Sequence, residues 1–155
     1  IEQLGMSNTK HFVFTGDKAK AVEILEKNDV KDYSIDFVSN EELPKALESM
    51  KYGFIVREDT AVNRVATPTK ISTYLSCGLI PIYSECLKDF GRIAQSMNYV
   101  ICCDKSMKKK LLDFNDAVIN PNSIFNEYNN IFDTYYSEKE HSKYIKQLLG
   151  KKMNH

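Results

Sequence analysis

The chain carries no surplus of charge of either sign: 21 lysines and arginines balance 21 aspartates and glutamates across 155 residues. That balance argues against nucleic acid as the main partner, because neutralising a phosphate backbone needs a basic excess. No apolar run approaches the roughly 20 residues of a bilayer crossing. No basic stretch near the start leads into an apolar segment, so no secretory signal is expected. Cys77, Cys86, Cys102 and Cys103 contain no C-x-x-C pair, and His11, His141 and His155 do not cluster with them. Zinc and other metals are therefore not expected. The cysteines sit at a helix end, in a loop and in an apolar strand, which suits small buried hydrophobes of a cytoplasmic protein. Their even number leaves a disulfide pair open. There is no G-x-G-x-x-G, no internal repeat, no low-complexity tract and no linker. A chain of this length is one domain. Because it starts at Ile1, we expect it to be a piece of a longer protein.

What is present is an alternation of short strands and helices. His11–Thr15 is a continuous apolar run that ends in Gly16-Asp17, a buried strand and a turn. Asp17 is placed to cap a helix over 18–27 with Ala21, Val22 and Leu25 facing inward. Strands are expected at Ser34–Val38, Tyr52–Val56, Leu79–Tyr83 and Tyr99–Cys103. Helices are expected over Pro44–Met50, 87–97 and 105–118, the last capped by Asp104. A polar loop should run from Arg57 to Ala66. Further on, Ile124, Phe125, Tyr128, Ile131, Phe132, Tyr135 and Tyr136 recur at helical spacing. Ser137–Glu140 reads as a capping box for a last helix bearing Tyr144, Ile145, Leu148 and Leu149.

Near-continuous apolar strands separated by helices imply a parallel sheet covered on both faces, a doubly wound α/β fold. Such folds bind ligands beyond the carboxyl ends of their strands. Here those ends are Gly16-Asp17, Val38-Ser39-Asn40, Arg57-Glu58 and Tyr83-Ser84-Glu85. Thr67–Ile82 adds a loop, a short helix, a glycine stop and a buried strand. Thr67 is a candidate cap and Pro68 suits the first helical position. A helix start of this kind offers N–H groups and a positive dipole end to an anion. Thr69 and Thr73 share one face, while Ile71, Tyr74 and Leu75 share another.

The run Arg57 … Asn63 … Ala66-Thr-Pro-Thr-Lys70 … Tyr74-Leu-Ser-Cys-Gly78-Leu-Ile-Pro-Ile82 resembles the carboxyl-terminal, donor-binding half of GT-B glycosyltransferases. It is most similar to the retaining bacterial enzymes that build surface polysaccharides, and the resemblance covers about residues 11–103. It implies a Rossmann-like domain whose carboxyl-terminal helices pack back across it. A nucleotide sugar would lie in a crevice shared with a missing amino-terminal, acceptor-binding domain. The sugar would pass to a glycan or lipid-linked acceptor, at the cytoplasmic side of a membrane if the whole enzyme associates peripherally. No cofactor is implied beyond the nucleoside-diphosphate sugar itself.

The same resemblance assigns roles to residues. Pro68, Thr69 and Lys70 would hold the diphosphate, and Arg57 and Lys70 would stabilise the charge that develops on the leaving group. Ser39 and Asn40 would lie near the base. Gly16, Asn63, Thr73 and Glu85 are further donor contacts. Thr73 stands where the family carries a ribose-binding glutamate, and Val65 occupies the partner acidic position eight residues earlier.

Each assignment has a plainer counterpart. Arg57 could pair with Glu58 or Asp59, Lys70 could be a solvated lysine, and Asn63 could be a turn former. Thr69 and Thr73 could serve as cap and helix surface, Gly16 as an ordinary strand-end glycine. Lys108-Lys109-Lys110 reads as a solvated helix face or a membrane-surface patch. The aromatic stripe is core packing or a surface for a second copy. At the level of function, the alternative is a non-catalytic α/β interaction or regulatory module. A weaker third option is a sugar-nucleotide epimerase of the same two-half architecture.

Overall fold

The computed structural model describes residues 10–65 and 69–137. Thr67, Pro68, Glu140 and the expected last helix with Tyr144, Ile145, Leu148 and Leu149 lie outside the described residues, as do His141 and His155. The elements alternate as the sequence predicts. Five strands, β1 (His11–Phe14), β2 (Tyr33–Asp36), β3 (Tyr52–Ile55), β4 (Ile80–Tyr83) and β5 (Ile101–Cys102), are interleaved with seven helices. These are α1 (Lys18–Lys27), α2 (Leu43–Leu47), α3 (Ala61–Val65), α4 (Lys70–Ser76), α5 (Lys88–Ala94), α6 (Met107–Asp116) and α7 (Pro121–Ile131). A π-helical turn, Phe132–Tyr136, continues α7.

All strand pairs are parallel, and they form two ladders, β1-β2 and β3-β4-β5. The chain is thus α/β and Rossmann-like, although β1, expected as a buried strand, is not buried, and its Phe12 is 44% exposed. β4 is the central strand of the larger ladder and is buried along its whole length. Its Pro81 removes a ladder donor without loss. Ile80 N donates to Lys51 O on the β3 side. Pro81, one residue on, therefore faces the β5 side, where pairing starts only at Ile82↔Ile101.

Helices cover both faces of this ladder. On one face Ile71 and Leu75 of α4, Phe90 and Ala94 of α5, and Tyr128 and Ile131 of α7 pack with Ile55 and Tyr83. On the other, Ile80, Ile82 and Ile101 meet Leu111 of α6. α7 is pinned back over the sheet by Tyr128, whose hydroxyl lies 3.0 Å from Leu79 O and 2.8 Å from Tyr99 O. The aromatic stripe is therefore core where it carries Tyr128 and Ile131, while Phe125 on the same helix is 63% exposed. In α1, Ala21, Val22 and Leu25 are half-buried, and none of its residues is fully covered.

Helix ends follow local chemistry. Asp17 Oδ1 accepts from Lys20 N at 3.0 Å and starts α1 as expected. The carboxylate of Asp104 accepts from Ser106 N and Ser106 Oγ, at 2.7 and 2.6 Å, just ahead of α6. Gly78, at φ +73, ends α4. Leu79 N reaches Tyr74 O at 2.9 Å and Gly78 N reaches Leu75 O at 3.0 Å, the paired bonds of a Schellman stop. Several boundaries differ from expectation: β2 is Tyr33–Asp36 rather than Ser34–Val38, α2 is Leu43–Leu47 rather than Pro44–Met50, and β5 is Ile101–Cys102 rather than Tyr99–Cys103. α4 begins at Lys70 with Thr69 as its N-cap. The expected polar loop after Arg57 contains α3, built by local hydrogen bonds rather than by apolar periodicity.

Candidate functional site

Parallel register brings the carboxyl ends of the larger ladder together. Ile55 pairs with Tyr83, and Tyr83 with Cys102. The loops that follow therefore emerge side by side: Val56-Arg57, Ser84-Glu85 and Cys103-Asp104. α4 runs back from this edge toward the start of β4 and packs on β3 and β4. Its first residue, Lys70, accordingly lies at the same edge as Arg57.

The Arg57 backbone is held by the neighbouring turn. Arg57 N donates to Ser84 Oγ at 2.6 Å, and Ser84 N donates to Ile55 O at 3.3 Å. The Cys86 thiol faces Arg57 O at 3.7 Å and Glu58 O at 3.6 Å. The Arg57 side chain is exposed and makes no ion pair among the described residues. The obvious competitor, Asp59, is taken by Arg64, with contacts of 2.7 and 3.1 Å. That hydrogen bond to Arg64 holds the Asp59 carboxyl below the usual carboxylate range. Lys70 is likewise exposed and without an ion pair among the described residues.

Other predicted residues have local duties. Ser39 Oγ donates to Glu42 Oε2 at 2.7 Å and accepts from Glu42 N at 3.3 Å, a reciprocal clasp at the start of α2. Asn40 beside it is exposed. Asn63 Nδ2 donates to Glu58 O at 2.9 Å and Asn63 N to Thr60 Oγ1 at 3.2 Å, so Asn63 folds the loop after Arg57 back on itself. Thr69 O accepts from Ser72 Oγ, and Thr73 O from Ser76 Oγ. Thr73 is half-buried, and Glu85 is exposed at the end of β4. A Cβ placed on Gly16 would meet nothing within 4 Å, so no crowding requires glycine there. The structure thus brings Arg57, Lys70, Thr69 and Glu85 to one edge. Ser39 and Asn40 follow β2, which belongs to the other ladder.

Sequence reasoning named Ser84 only as part of a strand end, and it gave Cys86 no role at the site. A lone serine after a strand carries no pattern of its own. Ser84 is nonetheless the buried polar residue among the described residues, 7% exposed. Burial also raises the thiol pKa values of Cys102 and Cys103 and the phenol of Tyr83. All four cysteines are free. Among the described residues no group of histidine, cysteine, aspartate and glutamate is arranged to hold a metal ion, and no helix is long and apolar enough to cross a membrane.

Two cavities lie away from this edge. One, of about 460 Å³, opens at the amino ends of β3 and β4 and is lined by Lys51, Gly78, Ile80, Ile124 and Phe125. Another, of about 560 Å³, lies between the approach to β5 and α7, beside Asn98, Glu127, Asn130 and Thr134. Neither was foreseen, since each depends on where α7 crosses the sheet.

Comparison of the chain with protein-family models, with curated proteins and with solved structures finds no match.

Proposed function

We propose that this chain is the donor-nucleotide-binding part of a glycosyltransferase of the GT-B kind, with the diphosphate of a nucleotide sugar held by Arg57 and Lys70. One observation carries the reading: a guanidinium on a clamped backbone, without an ion pair among the described residues, at the carboxyl edge of a parallel ladder where a second cation begins α4. Arginine offers five donors in a planar fork that matches phosphate oxygens bidentately, and lysine adds a point charge. As a sugar leaves a nucleoside diphosphate, negative charge grows on the diphosphate, and fixed cations there lower the barrier. Acceptor binding belongs to a separate domain, so the chain by itself binds the donor without transferring the sugar.

Calorimetric titration with uridine and guanosine diphosphates and with the free nucleosides tests this. Arg57→Ala and Lys70→Ala should each weaken the diphosphate about tenfold, roughly 1.4 kcal/mol, and leave the nucleoside unchanged. Equal loss for both ligands sinks the phosphate role. Failure of every nucleoside diphosphate to bind at millimolar concentration sinks the donor-site reading. The second reading, a non-catalytic α/β module, is favoured by Thr73 in the place of a ribose-binding acid and by cavities that lie at other parts of the sheet. Such a module would show neither diphosphate nor nucleoside binding.

A further inference from the structure

Ser84 stands apart among the described polar residues. It is buried, it is the first residue past the central strand, and its hydroxyl is spent on the backbone of a residue 27 positions away. A buried hydroxyl without such a partner would be costly. The question is what its bond to Arg57 achieves.

The turn Ser84–Leu87 grips the turn Arg57–Glu58 at several points. Ser84 Oγ takes Arg57 N at 2.6 Å, so the peptide before Arg57 is fixed. Cys86 Sγ lies 3.7 Å from Arg57 O and 3.6 Å from Glu58 O, so its one weak donor faces the next two carbonyls. Ser84 N to Ile55 O, 3.3 Å, extends the β3–β4 pairing up to the clamp. Leu87 N to Ser84 O, 3.0 Å, closes the gripping turn on itself, and Leu87 is fully buried. A rigid turn rooted in the core thus holds the Cα of an exposed arginine, and only the side chain remains to be ordered when an anion arrives. Ordering the backbone in advance removes part of the entropy cost of binding.

We propose that Ser84 is a positioning residue for Arg57, acting through the Arg57 backbone amide to aim the guanidinium at a pyrophosphate group. This rests on the donor-site reading above. Cys86 supports the same turn from the carbonyl side.

The test uses the 155-residue chain with inorganic pyrophosphate as the probe. Amide hydrogen exchange at Arg57 is read separately. In Ser84→Ala the Arg57 amide should exchange at least tenfold faster, while the Gly53 and Ile82 amides within the β3–β4 ladder keep their protection. Pyrophosphate should bind about fivefold more weakly to Ser84→Ala, and Ser84→Thr, which retains the hydroxyl, should recover most of that loss. Adding Ser84→Ala to Arg57→Ala should cost nothing further, since the positioned group is already gone. A purely structural role would instead weaken both backgrounds equally, and that result overturns the proposal. Unchanged Arg57 exchange in Ser84→Ala overturns the clamp itself. If the unsubstituted chain does not bind pyrophosphate, the donor-site reading fails and the positioning role falls with it, while the exchange data still decide whether the clamp exists.

Discussion

Single residues show where this chain is least free to change. Gly53 lies in β3 directly beneath the Tyr74 ring, and a Cβ there would fall within 2.7 Å of Tyr74 Cγ and Cε2. The ring can pack this close to the strand only because glycine presents no side chain. Gly53→Ala should therefore destabilise the fold by about 1–3 kcal/mol, the usual cost of overpacking. Urea unfolding would show this as a lower midpoint, and Gly53→Ala with Tyr74→Ala should lose less than the two single losses added together. Asp29 is the opposite case. It sits at φ +54 and ends α1 with the same bonds that Gly78 uses for α4: Val30 N to Leu25 O and Asp29 N to Glu26 O, both 3.0 Å. A side chain in this left-handed position is strained, and its 3.8 Å contact with Lys31 joins two largely exposed groups that stabilise little. Asp29→Gly should raise stability by on the order of 0.5–1 kcal/mol. An unchanged or lower melting temperature would show that the pairing with Lys31 outweighs the strain.

Among the elements, α7 has a role that no periodicity announces. Glu127 reaches from its polar side to the connection before β5. Its carboxylate accepts from Asn98 N at 3.0 and 2.9 Å, from Tyr99 N at 2.9 Å and from Asn98 Nδ2 at 2.7 Å. The aromatic stripe made the helix legible, but nothing in that spacing marks Glu127. Glu127→Ala should cost about 1–3 kcal/mol, because charge-assisted bonds to several donors are lost at once. Glu127→Gln, with one acceptor oxygen left, should cost less. Equal losses would show that packing, not the carboxylate, holds the connection. Helix α3 was missed for a similar reason. Its support comes from Asn63 and Arg64 binding back to Glu58, Asp59 and Thr60, and such contacts leave no apolar spacing to read. By contrast, α1 and α4 were legible because Asp17 and Gly78 mark their ends with residues chosen by backbone chemistry.

Taken as a whole, the molecule is ordered around β4, and the run Leu79–Tyr83 announced that strand through its apolar character alone. Its candidate site was half legible. Arg57 and Lys70 could be named only through the family that the run from Arg57 to Ile82 resembles. Ser84 could not, since its role exists only once register places it against Arg57. The core built on β4 also shelters phenols. Burial pushes Tyr52 up to about 12 and raises Tyr74, Tyr83, Tyr128 and Tyr136 as well. In the unfolded chain a tyrosine releases its proton near 10. Between that value and the higher folded one, the native state holds protons that the unfolded state has lost. Stability from these groups is therefore complete below about pH 10 and declines as pH rises through about 12. Urea midpoints should be level from pH 7 to 9 and fall steeply beyond 10. Tyr52→Phe should make that fall shallower, because one linked proton is removed. An equally steep fall in Tyr52→Phe would show that linkage to be wrong.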